Sequence, residues 1–332
     1  MVNINMLSSR TRSLVYLLEL MTGIVESVKM IGTQIATDQV VPFQLGSLGV
    51  RGRVVRLNDA TSTLTTNSRY PKAVSYLLSE TMALTALFAS ALKYKGMFST
   101  QIRGSGPINL LIANATSEGE LRAYAKYDES ILSKKLTKQE GLFPNLIGSG
   151  HMAFTVDQGP GTERYQGITE LSGTSLSDSA TSYFRDSEQL ETAIISALAD
   201  TKSDTKRKQA VVAVMMIQRL PIEGIEINDA EDAWREATLL LNTITPNELL
   251  NLSISEEQLL TNTYHECDVT IFSPKSQKFA CRCSRERVSR TLSSFSREEI
   301  ESMKVDGVVT VTCEFCKNDY SFSSVDLDLI FG

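Results

Sequence analysis

Four of the five cysteines in this 332-residue chain lie in two close pairs near its C-terminus, Cys281-x-Cys283 and Cys313-x-x-Cys316. Residues 265–332, which hold both pairs, are too few to bury a large core, and units of this size need a staple. The cysteines supply one. Reduced, four thiolates can hold a zinc ion in a tetrahedron. Oxidised, each pair can close on itself. The fold of this segment is therefore tied to the state of four sulfur atoms.

Two pairs about 30 residues apart predict one zinc site with Cys281, Cys283, Cys313 and Cys316 as its ligands. Four thiolates on one Zn²⁺ leave a formal charge of −2. Arg282, Arg285, Arg287 and Lys317 are neighbours in sequence that would offset it and lower the thiol pKa values. Structural sites usually carry a C-x₂₋₄-C at both ends, so the C-x-C is the unusual half. Residues two apart in a strand have Cα atoms about 6.6 Å apart, the upper edge of disulfide geometry. A bond there needs a bent backbone, and strained disulfides are the labile, regulatory ones. Zinc binding contributes on the order of 10 kcal/mol to folding a small zinc unit, so losing the ion should unfold it. Cys267 reads as a bystander, and His265 is surplus to a site already saturated by four sulfurs.

The charge pattern marks another boundary. Residues 221–264 hold nine acids and one base, Arg235, or −8, so the rest of the chain carries about +2 of the net −6. Thr245-Pro246-Asn247-Glu248 and Ser255-Glu256-Glu257-Gln258 are capping boxes that open short helices. Helices of that length are marginal alone. They persist only by packing Trp234, Leu239–Leu241, Leu249, Leu250, Leu259 and Leu260 against something else. An ordinary helical subdomain and a metastable linker fit this segment equally well. A third capping box, Ser296-Arg297-Glu298-Glu299, places a helix over 297–304, between the cysteine pairs.

Residues 38–220 read as one mixed α/β domain. Pro71–Tyr94 has a long helical stripe with an alanine-rich middle, and short β-type runs follow at 98–103, 109–113, 121–127, 151–156 and 211–218. Leu190–Leu198 reads as a helix. Gly104-Ser105-Gly106-Pro107 reads as a turn and fits no phosphate-loop spacing. The two histidines, His151 and His265, give no triad, so hydrolysis has no support and the chain is not expected to be an enzyme. Residues 1–37 read as an extension, flexible or with a start placed too early, ahead of Met30. No apolar run reaches the roughly 20 residues that span a membrane, so no membrane partner is expected. Net negative charge argues against nucleic acid. Clustered cysteines with no clear signal peptide suggest a reducing, cytoplasmic home.

The chain resembles the Hsp33 family, the redox-regulated 33 kDa chaperonins of bacteria. The resemblance runs from about residue 38. It is strongest at Tyr264-His265-Glu266, at Phe279-x-Cys281-x-Cys283-Ser284-Arg285-Glu286-Arg287, and at Cys313-Glu314-Phe315-Cys316-x-x-x-Tyr320-x-Phe322. Val50-Arg51-Gly52-Arg53, Gly104-Ser105-Gly106-Pro107, Arg164-Tyr165-Gln166-Gly167 and Tyr183-Phe184-x-x-Ser187-Glu188-Gln189-Leu190 follow the family's order. It implies an α+β architecture with a core domain at 38–220, a helical linker at 221–264 and a zinc-binding redox-switch domain at 265–332. It implies a cytoplasmic, ATP-independent holdase. With one Zn²⁺ on reduced Cys281, Cys283, Cys313 and Cys316 the protein is inactive. Disulfides Cys281–Cys283 and Cys313–Cys316 then expel zinc and unfold the linker, and the chain forms a homodimer that binds unfolded client proteins. Two other functions compete. One is a zinc-ribbon nucleic-acid module using Arg282, Arg285, Arg287 and Arg290. The other is a thiol–disulfide oxidoreductase using Cys313 and Cys316, which would place that motif at the start of a helix.

Overall fold

The computed structural model describes residues 37–65, 70–136, 142–159, 161–200, 210–221 and 227–332. The expected extension falls outside these apart from its last residue. Chain contacts divide the molecule into two compact units, the first ending at Phe279 and the second being Ala280–Gly332.

The first unit is built on two sheets. One has the order β10 (Val269–Ile271), β1 (Gln39–Leu45), β2 (Val50–Leu57), β9 (Ala210–Arg219), β8 (Thr192–Asp200), with β11 (Lys275–Ser276) also on β1. The other has the order β12 (Lys278–Phe279), β5 (Glu120–Tyr127), β4 (Ile108–Thr116), β3 (Met97–Gly104), β6 (Gly150–Asp157), β7 (Tyr165–Glu170). Neighbouring strands are antiparallel except β12 on β5. After α1 (Asp59–Thr65), the helix α2 (Lys72–Ala91) packs against strands of both sheets. It has no polar face, because Leu77, Leu78, Met82, Leu84, Leu87 and Phe88 are buried all round it. Its hydroxyls turn inward on the helix itself, Thr81 Oγ1 donating to the Leu77 carbonyl and Thr85 Oγ1 to that of Thr81. By length and composition α2 could cross a membrane, yet it is the buried core helix of this unit. The helices α3 (Glu129–Leu136), α4 (Leu142–Ile147) and α5 (Leu176–Asp186) complete the unit's periphery.

Two motif glycines have a packing reason. Gly52 lies directly across from Phe43 in the β1–β2 pair, and a Cβ there would enter the Phe43 ring. Gly167 on β7 lies under the Tyr183 hydroxyl in the same way. Tyr183 and Tyr165 both donate to the buried Glu188 carboxylate, so the two tyrosine motifs of the sequence meet at one acid.

Leu190–Leu198 is not a helix. The segment is β8, paired from Thr192 opposite Gln218 to Asp200 opposite Ala210. A short apolar run is ambiguous in periodicity, and here a complete antiparallel partner, the β-branched β9, decides it.

The acidic segment forms α6 (Ile227–Thr243), α7 (Pro246–Leu249) and α8 (Glu256–Thr263), the last two opened by the expected capping boxes. Ala237, Leu241, Leu249, Leu259, Leu260 and Tyr264 pack on Phe43, Val50, Val54, Met215 and Ile217 of the first sheet. Leu239, by contrast, is 63% exposed. Residues 269–279, expected in the terminal domain, pair with β1 and β5 of the first unit. That is why the second compact unit starts at Ala280.

Candidate metal centre

The second unit has a core of Leu292, Ile300, Val309, Phe322 and Leu327, too small to hold a fold alone. Around it lie α9 (Arg285–Leu292), α10 (Arg297–Ser302), the hairpin of β13 (Val309–Thr312) and β14 (Asp319–Phe322), and α11 (Ser324–Phe331). Each helix starts on a serine whose side chain accepts from the first turn: Ser284, Ser296 and Ser323.

Those elements fix the cysteines. Cys281 and Cys283 lie in the extended approach to α9, ending at its cap Ser284. Cys313 and Cys316 lie in the β13–β14 turn. There the Cys313 N–H donates to the Asn318 carbonyl at 2.9 Å and the Lys317 N–H to the Cys313 carbonyl at 2.7 Å. Lys317 takes a left-handed φ of 57° to close this turn. The four sulfurs come within 4.8 Å of one another, with Cys281–Cys313 at 3.6 Å and Cys283–Cys316 at 3.3 Å. Four sulfurs bound at about 2.3 Å round a tetrahedral zinc lie about 3.8 Å apart, so the cluster fits such an ion with small adjustments. Among the described residues this is the one group of His, Cys, Asp and Glu side chains placed to hold a metal.

The surroundings suit thiolates. Backbone N–H groups of Cys283 and Asn318 donate to the sulfurs of Cys281 and Cys316. The Tyr320 hydroxyl donates to Cys283 Sγ at 3.0 Å. Burial pushes the Cys283 thiol up, but the Tyr320 hydroxyl and the other three thiols outweigh it and bring it down to about 7. Burial raises Cys281 and Cys316. Bonded to that sulfur, the Tyr320 phenol is itself pushed up to about 12.

Of the basic neighbours expected to offset the sulfur charge, Arg285, Arg287 and Lys317 make side-chain contacts away from the sulfurs. Arg285 donates to the Ser321 carbonyl and to Asp326, both at 2.7 Å, and lies 4.4 Å from the Phe322 ring centre. It ties α9 to β14 and α11. Arg287 donates to the Arg282 carbonyl, and Lys317 pairs with Glu314. The group that touches sulfur is Tyr320, which the spacing Cys316-x-x-x-Tyr320 contained but charge counting passed over. His265 is exposed beside Glu266, and Cys267 is buried with Tyr264 in the core under the linker helices. Neither belongs to the cluster.

The geometry also bears on the competing functions. Cys313-x-x-Cys316 occupies a hairpin turn, not the start of a helix, so the expected oxidoreductase context is missing. In the Gly104–Pro107 turn, the N–H groups of Ser105 and Gly106 are taken by the carbonyls of Ser149 and Ile147, leaving nothing to cradle a phosphate.

Known proteins resemble this chain. The family model described as Hsp33 protein matches residues 38–323. The chain belongs to the Hsp33 family. It is 35% identical over 295 residues to a 33 kDa chaperonin of Caulobacter vibrioides, covering 87% of this chain and 95% of that one. It is 33% identical over 299 residues to the 33 kDa chaperonin of Pseudomonas fluorescens, covering 89% and 94%. The crystal structure of the Hsp33 homologue of Thermotoga maritima has the same fold, with a TM-score of 0.74 at 19% identity, covering 89% of this chain and 98% of that one. This Hsp33 chain is thus a member of a chaperone family with a four-cysteine cluster able to hold a metal ion.

Proposed function

We propose that this Hsp33 chain is a redox-regulated, ATP-independent holdase of the cytoplasm. Reduced, Cys281, Cys283, Cys313 and Cys316 bind one Zn²⁺, which staples a unit whose own core is too small. Oxidation joins Cys281 to Cys283 and Cys313 to Cys316, zinc leaves, and the unit loses the roughly 10 kcal/mol that metal binding contributes to folding. Helices α6 to α8 then come off the first sheet, and the chain dimerises and holds unfolded clients.

The observation that carries this reading is the convergence of four sulfurs within 4.8 Å in a unit with so small an apolar core. A disulfide draws its two sulfurs to about 2 Å, far closer than any two ligands of a tetrahedral zinc, so closing each pair requires the cluster to come apart. Switching and metal loss are then one event.

The test is oxidation of the zinc-loaded protein with peroxide under mild heat. Loss of four thiols with release of one zinc is expected, with disulfides mapped within each pair. The oxidised protein should suppress aggregation of a thermally unfolding client. Equal suppression by the reduced and oxidised forms overturns the proposal.

A further inference from the structure

The first unit has a cleft of about 720 Å³ at the C-terminal end of α2, within the range of small-molecule sites. Its lining comes from the end of α2 with the turn after it, the β4–β5 turn and residues 275–277, with Gln158 added from the end of β6. Lys93, Lys95 and Lys275 line it against one carboxylate, Glu118. In a chain of net charge −6, this local excess of positive charge runs against the average.

One of the lysines has an ordinary explanation. Lys93 follows the end of α2, where the helix's free carbonyls favour a cation. Lys95 and Lys275 do not share it. Among the described residues, neither has a carboxylate within ion-pairing distance. Lys275 is also crowded: burial, and then the Arg53 guanidinium, hold its ammonium below the usual lysine range. Arg53 in turn has its Nε and Nη1 buried without an acceptor. A bound anion would relieve this repulsion.

The chemistry of the lining narrows the ligand. The N–H groups of Ser117 and Gly119 are already taken by the carbonyls of Gly96 and Thr116, so the turn forms no backbone nest. Recognition falls to ammonium groups and to the hydroxyls of Thr116 and Ser276, since the Ser90 hydroxyl already donates to the Leu87 carbonyl. Lysine offers phosphate a point charge, whereas bidentate carboxylate capture is the role of arginine. The lysines come from separate parts of the chain, and one orthophosphate would leave most of the cleft to water. We propose that this cleft binds a small anion carrying more than one phosphate group, held jointly by Lys95 and Lys275. Such a ligand pins residues 275–277 to the end of α2.

The test uses the full zinc-loaded chain and inorganic tripolyphosphate at fixed ionic strength, with calorimetry and hydrogen exchange. Saturable 1:1 binding is expected, weakened at least tenfold by Lys275→Gln and by Lys95→Gln but less than twofold by Lys126→Gln at an exposed site on β5. Ligand should slow exchange around 275–279. Absence of saturable binding at millimolar ligand overturns the proposal. So does equal weakening by all three substitutions, which marks a general charge effect, or unchanged exchange at 275–279. None of these readouts depends on chaperone activity.

Discussion

Arg56 on β2 and Glu256 at the start of α8 meet in the interior, 3.9 Å apart and with side chains 1% and 5% exposed. Arg56 Nε also donates to the Leu249 carbonyl at 2.9 Å and Nη1 to the Ile254 carbonyl at 2.5 Å. Gln39 Nε2 donates to Glu256 at 3.0 Å. One buried guanidinium thus holds the end of α7, the α7–α8 turn and the start of α8 on the sheet. Burial lowers the Arg56 pKa, and Glu256 only partly offsets this. The guanidinium is retained because its carbonyl and carboxylate partners are all in place.

Removing one partner of such a pair strands the other. Arg56→Met should take the guanidinium donors from the carbonyls of Leu249 and Ile254 and leave the Glu256 carboxylate buried without its cation, held by Gln39 alone, and destabilise docking of α7 and α8 by about 3–5 kcal/mol. The measurement is limited proteolysis with hydrogen exchange over 246–263 in the reduced, zinc-loaded protein. Faster exchange there, with β3–β6 unchanged, is the expected result. On the proposed mechanism the variant also suppresses client aggregation without oxidant.

Glu80, on the core helix α2, gives a pH signature. It accepts from Ser196 Oγ at 2.8 Å and Ser177 Oγ at 3.3 Å, yet burial pushes its carboxyl pKa up, with Asp178 adding to the rise. The folded chain therefore holds this proton more tightly than the unfolded chain does. The contribution to stability is complete below the unfolded value of about 4.3 and is lost as pH rises through the folded one. Glu80→Gln should raise the urea midpoint at pH 8, and the gain should shrink towards pH 4.5. Trp234, the one tryptophan, reports the transition. Parallel midpoints across that range would show that Glu80 keeps its charge in the fold.

What the sequence revealed and what it hid follow from the range of the interactions. The capping boxes at Thr245, Ser255 and Ser296 are local, four-residue devices, and the helices start where they say. The cysteine pairs were legible because metal chemistry restricts spacing. β8 was not, because its strand character comes from pairing along its length with β9, which the periodicity of its own residues does not contain. The Arg56–Glu256 contact is a tertiary fact that no short window of residues contains, and the covering of Gly52 by Phe43 depends on the register of the β1–β2 pair. Nor could charge counting find the partners of Arg285, which are Ser321 and Phe322 on β14 and Asp326 on α11.

Cys267 tests where the redox chemistry ends. It is 2% exposed in the core under the linker helices, and burial, then Glu236 and Glu266, raise its thiol pKa. Cys267→Ala should keep one zinc per chain and the loss of four thiols on oxidation. The emptied sulfur site should cost about 1 kcal/mol, seen as a lower urea midpoint. Metal analysis beside a thiol count checks this, and a changed zinc stoichiometry would bring Cys267 into the site.

Tyr320 is the sharpest test of the metal centre, because it touches a sulfur without being a ligand. Its hydroxyl donates to Cys283 Sγ at 3.0 Å, a side-chain hydrogen bond onto the cluster from outside the four cysteines. Such second contacts orient a ligand and spread its charge, and losing one typically lowers metal affinity about 10- to 100-fold. Tyr320→Phe keeps the ring against the hairpin and removes only the donor. Zinc stoichiometry should stay at one per chain, while competition with a chromogenic chelator should show weaker binding and faster release. Lys317→Gln, which breaks the partly exposed pair with Glu314, is the matched control and should leave affinity within about twofold, as surface pairs contribute little. Equal affinities for Tyr320→Phe and the parent would mean that the hydroxyl bond is not made once metal is bound.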